Sequence, residues 1–68
     1  MASATQRVAA RLTELRQKRG LSQEALAAKA RINRVTLARL ERAMHPPNLD
    51  TLERIAQALS VTLADLVK

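Results

Sequence analysis

The amino-acid sequence predicts an all-α fold of five short helices, and three observations predict it. Ala, Leu, Val, Ile and Met supply all of the hydrophobic content, 47 % of the chain, and aromatic residues are absent. One Gly and two Pro leave few chain breakers, while Ala and Leu are strong helix formers. Apolar residues recur at three- and four-residue spacing in segments that mostly open on Ser, Thr or Asn, which is the pattern and start signal of amphipathic helices. A length of 68 residues reads as one domain, 1–68. At that size a chain buries only about 60 % of its unfolded surface, so stability is modest.

The first helix is expected over residues 5–18, with Val8, Leu12 and Leu15 on one face and Arg7, Arg11 and Lys18 off it. Gly20 follows where a left-handed residue closes a helix. Ser22 is the N-cap of a second helix reaching residue 29, with Leu26, Ala27 and Ala30 inward. Ala30-Arg31-Ile32 turns the chain, and Asn33 caps a third helix running to about residue 42. Leu37 and Leu40 face the core, and Arg34, Val35, Ala38, Arg39 and Arg42 share the opposite face. Two adjacent prolines, Pro46 and Pro47, end any helix there. Asn48 opens a fourth helix to residue 59, with Leu49, Leu52, Ile55, Ala56 and Leu59 inward. Thr62 and Asp65 have the spacing of a capping box at the start of a fifth, where Leu63 and Leu66 close the core.

Charge is unevenly placed. The formal total is +6, made of +7 through Arg42 and −1 from Ala43 onward. Such a concentrated basic excess points to nucleic acid first and an acidic membrane surface second. The sequence has no Cys, hence no disulfide and no thiolate metal site. It shows no secretory signal and no membrane-spanning run, so a cytoplasmic protein is expected. His45 is the single His, in the proline loop, and the six acids are scattered. No catalytic constellation, metal site, cofactor site or small-molecule ligand is evident, and no enzyme activity is expected.

Two short helices joined by about three residues, the second basic on its outer face, form the pattern of a helix-turn-helix. The specific residues are Leu21-Ser22-Gln23, Leu26-Ala27, Arg34, Leu40-Glu41-Arg42 and the run NLDTLERIAQAL at 48–59. On these the chain resembles the Cro/repressor, lambda-repressor-like helix-turn-helix family over about residues 12–66. Its size is like that of small phage repressors and restriction-modification controller proteins. The resemblance implies a compact five-helix DNA-binding domain that binds a palindromic operator in double-stranded DNA as a homodimer.

Residue by residue, it implies base reading by Arg34, Val35, Ala38 and Arg39. Phosphate contacts are implied for Gln23, Thr36 and Arg42, with Arg16, Arg11, Arg31 and Arg7 as further candidates; Thr36 alternatively gives only its N–H to the Asn33 cap. Arg16 and Glu41 match a family ion pair between the first and third helices. Val61, Leu63, Leu66 and Val67 leave apolar surface near the C-terminus for a dimer contact. Two residues depart from the family pattern: Arg31 and Ala43 stand where many members have Gly. A non-Gly residue in the left-handed region costs about 1–2 kcal/mol. The competing expectation is an antitoxin-like or protein-interaction module on the same fold.

Overall fold

A computed structural model describes residues 2–68. It contains α1 (Ala4–Lys18), α2 (Gln23–Ala30), α3 (Arg34–Glu41), α4 (Leu49–Ala58) and α5 (Leu63–Val67), with no strand among the described residues. Every helix starts on a side-chain cap: Ser3, Ser22, Asn33, Asn48 and Thr62 each sit in extended backbone and accept a first-turn N–H. Each such cap contributes about 1 kcal/mol over Ala. Ser3 with Gln6 and Thr62 with Asp65 form complete capping boxes. The Ser3 box starts α1 one residue ahead of the expected boundary. The Asn33 carboxamide oxygen accepts from the Val35 N–H at 2.7 Å, so Thr36 does not serve that cap.

The helix ends share one device. After α1, α2, α3 and α4 the chain places Gly20, Arg31, Ala43 and Ser60 at φ between 57° and 67°. Each left-handed residue folds its N–H back onto the last turn, and the next residue reaches one carbonyl further. The longer bonds are Leu21 to Arg16, Ile32 to Ala27, Met44 to Arg39 and Val61 to Ala56, all near 3.0–3.1 Å. These are Schellman ends, which satisfy carbonyls that a helix terminus otherwise leaves bare. Arg31 and Ala43 thus adopt the left-handed geometry despite their side chains, as does Ser60, which sequence reading did not single out. The residue after each turn is apolar, and Leu21, Ile32 and Val61 tuck against the core.

Leu12, Leu26, Leu37, Ile55, Leu59 and Leu66 are fully enclosed at the centre. Packing of α2 on α4 and α1 on α5 makes the body, and α3 rests on α1 and α2. A Cα radius of gyration of 10.5 Å is close to the ~11 Å of a well-packed chain of this length. Two core assignments change. Ala9 is buried, and Leu49, expected inward, is 71 % exposed. Helical periodicity fixes the angle at which a side chain leaves the axis, not how far the neighbouring helices extend. Leu49 is the first residue of α4, past the stretch where the stripe Leu52, Ile55, Ala56 and Leu59 is covered.

Candidate nucleic-acid interface

At about 100° per residue, Arg34, Val35, Ala38, Arg39 and Arg42 fall within an arc of roughly 140° on α3. Arg34, Val35, Arg39 and Arg42 are exposed, and Thr36 and Ala38 are half-buried beside them. The three arginines form no ion pair among the described residues. Val35 leaves 48 % of its surface open, apolar area that contributes nothing to the core. Leu37 and Leu40 on the opposite arc are buried, and Glu41, close in angle to Arg34, anchors the end of the helix.

That anchor is a three-helix junction. The Arg16 guanidinium on α1 donates from Nε to Glu41 Oε2 at 2.6 Å and from Nη2 to Glu41 Oε1 at 3.0 Å. Its Nη1 donates to the Leu21 carbonyl at 2.8 Å, in the turn before α2. Gln23, at the start of α2, donates from Nε2 to the same Glu41 Oε1 at 3.1 Å. The Arg16 and Glu41 side chains keep only 13 % and 6 % of their exposure. Bidentate, charge-assisted and largely dry, this contact belongs to the strong class of hydrogen bond. It ties the position of α3 to both helices that carry it. Arg16 therefore spends three of its donors internally, and Gln23 braces α3 through Glu41.

Other cations are drawn inward in the same way. Arg11 donates from Nε to the Asp65 carbonyl on α5 at 3.0 Å, and its remaining end pairs with Glu14. An end carbonyl of α5 and an acid one turn along α1 thus engage the guanidinium, while the side chain stays 33 % exposed. Arg19 donates to the Leu59 carbonyl at the end of α4, at 2.8 Å. No local signal announces that bond, because its partner lies 40 residues away. Arg31 is exposed, at the left-handed end of α2. Arg7 is exposed on α1.

The apolar C-terminal set divides. Leu66 is fully buried among the core leucines, so it has no surface to offer a second chain. That corrects its dimer assignment; a residue that closes the core cannot also face outward. Val61 and Leu63 are half-buried against the core, and Val67 is 47 % exposed. No group of acids, His or Cys is arranged to hold a metal ion, and no helix is long and apolar enough to cross a membrane, among the described residues.

A helix-turn-helix family model matches residues 12–66. The chain belongs to the helix-turn-helix family. It is 41 % identical over 58 residues to the HTH-type transcriptional regulator DdrOP3 of Deinococcus deserti, covering 85 % of this chain and 45 % of that protein. It is 40 % identical over 60 residues to the immunity repressor protein of Bacillus phage phi105, covering 88 % and 42 %. The chain thus spans less than half the length of these two relatives. Among solved structures, the restriction-modification controller protein C.AhdI from Aeromonas hydrophila superposes with a TM-score of 0.89 at 32 % identity, covering 91 % of this chain and 94 % of that one. Within this helix-turn-helix protein, α2 and α3 are the paired helices of the motif and Arg31 lies in the turn between them.

Proposed function

We propose that this helix-turn-helix protein is a sequence-specific regulator of transcription that sets α3 into the major groove of double-stranded DNA. The observation that carries the reading is the outward arc of α3. Three arginines without an ion pair among the described residues and an exposed valine lie on a helix held by buried Leu37 and Leu40 and, at its last residue, by the Glu41 junction. The major groove of B-DNA is about 12 Å wide and admits one α-helix. Arg34 and Arg39 read guanine edges, each bidentate contact giving about 1–3 kcal/mol of discrimination. Val35 meets a thymine methyl, and Ala38 permits close approach. Arg42, Arg31, Thr36 and Gln23, with any free donor of Arg16, contact phosphates and set register without reading sequence. The transcriptional regulators and repressor among its relatives support the same reading.

The protein acts without catalysis, in the cytoplasm, as a homodimer on a palindrome whose half-sites lie about 34–36 Å apart. Val61, Leu63 and Val67 form the contact between copies. Selection of duplexes from a random library at fixed salt tests the reading, with Arg39→Ala and Arg42→Ala alongside. Enrichment of a palindrome is expected. Arg39→Ala relaxes preference at one base position, whereas Arg42→Ala weakens all sequences alike. No enrichment, with binding that simply fades as salt rises, overturns the proposal in favour of unspecific attraction.

A further inference from the structure

The C-terminal end of α2 and the outer side of α4 enclose an open depression of about 420 Å3, lined by Lys29, Ala30, Arg31, Arg54, Gln57 and Ala58. Half of that lining is cationic, none of it is acidic, and no residue of α3 contributes. We propose that this depression binds a compact oxyanion of the phosphate class.

Charge carries the argument first. The ion pairs of the described residues engage Arg11, Arg16, Lys18 and Lys68, and leave Lys29, Arg31 and Arg54 without an acid. What the cluster does have is the end of α2. Arg54 donates from Nη1 to the Arg31 carbonyl at 3.5 Å, at the long limit of a hydrogen bond. A helix terminus supplies about half a negative charge. Only Arg54 reaches it, and Lys29 and Arg31 line the same depression with no acid in the lining, so the half charge leaves most of the three positive charges uncompensated.

Shape and chemistry then select the ligand. The depression is open and larger than a phosphate or pyrophosphate, so its shape admits such an ion and its cations select it. Two guanidinium forks and one ammonium match the oxygens of a phosphate or pyrophosphate, the forks in bidentate fashion. The Gln57 carboxamide adds a neutral donor, and Ala30 and Ala58 keep the floor shallow. The sequence has no aromatic residue, so nothing stacks on a nucleobase, and recognition rests on the oxyanion alone. Lys29 and Arg31 lead directly into Asn33, the cap of α3. A bound anion therefore fixes the turn that aims α3. The site uses no base-reading residue of α3, and it shares only Arg31 with the phosphate contacts proposed above.

The same oxyanion chemistry has two sources, a free phosphorylated compound or a backbone phosphate of nucleic acid. Inorganic pyrophosphate is titrated into the full chain, with amide shifts followed by NMR against sodium chloride at matched ionic strength. Saturable shifts confined to residues 29–31, 54, 57 and 58 are expected. Arg54→Gln and Lys29→Gln each weaken pyrophosphate by about tenfold or more. The Lys29 side chain makes no internal bond among the described residues, so that variant keeps its fold if Arg54→Gln loosens the α2 end. Duplex DNA then identifies the source. Uniformly weaker DNA binding by both variants, with a smaller salt slope, assigns the site to a backbone phosphate. Unchanged DNA binding assigns it to a free phosphorylated compound. Non-saturable shifts spread over all basic residues, as with chloride, overturn the proposal whatever the DNA result.

Discussion

Gly20 and Ala43 occupy equivalent left-handed positions, at φ 67° and 57°, after α1 and α3. They make a matched pair for measuring backbone strain. A Cβ added at Gly20 meets nothing within 4 Å, so Gly20→Ala changes no packing and isolates the backbone. The left-handed region costs a residue with a Cβ about 1–2 kcal/mol. Ala also stiffens the unfolded chain, which returns about 0.4–1 kcal/mol. The net loss for Gly20→Ala is therefore about 1 kcal/mol, and Ala43→Gly should gain a similar amount. At 4–8 °C per kcal/mol in a domain this small, the midpoints move apart by about 8–16 °C in total. Thermal and urea unfolding followed by circular dichroism at the helix band are the assays, since the chain has no Trp or Tyr for fluorescence. The denaturant slope should stay constant, showing that stability alone has changed. A neutral Gly20→Ala, or a destabilising Ala43→Gly, would refute the strain account of these helix ends.

Three further outcomes are expected. Glu41→Ala strands Arg16, which keeps only 13 % of its exposure, and should cost about 3–5 kcal/mol; a loss under 1 kcal/mol by urea unfolding would place the pair with ordinary surface contacts. The Thr62 N–H bonded to the Asp65 carboxylate holds its pKa below the ordinary value of 3.8. A depressed acid adds stability that is present above its unfolded value and lost as pH falls through the folded one. Amide protection in α5 should therefore decline on acidification below about pH 4, and Asp65→Asn, which keeps the oxygen acceptor, should remove that pH dependence. Leu49→Ser should be nearly silent, while Leu52→Ala, three residues along the same helix, costs about 2–5 kcal/mol in thermal unfolding.

The five helices were legible because their start signals are local. Ser22, Asn33, Asn48 and Thr62 each bond an N–H two or three residues ahead, so sequence spacing is spatial spacing. Ser3 with Gln6 carries the same signal and marks the true start of α1. The outward arc of α3 was legible for the same reason. What escaped was contact at long range. Arg11, Arg19 and Arg54 reach carbonyls 54, 40 and 23 residues away, and nothing in the neighbourhood of an arginine announces a backbone partner. Leu66 was assigned both to the core and to a dimer surface; only the assembled packing decides between them, and it encloses the side chain. The basic depression needed three residues from two helices to be brought together, which charge counting along the chain does not reveal.

The division of α3 into a locked side and an open side has an evolutionary consequence. Leu37, Leu40 and Glu41 hold the helix, whereas the side chains of Arg34, Val35 and Arg39 are exposed and make no hydrogen bond or ion pair among the described residues. Replacements at such surface positions usually change stability by no more than about 0.5 kcal/mol. Mutation can therefore explore new chemistry on the open side almost without selection against misfolding. One scaffold can diverge into lineages with unlike targets while its interior stays the same.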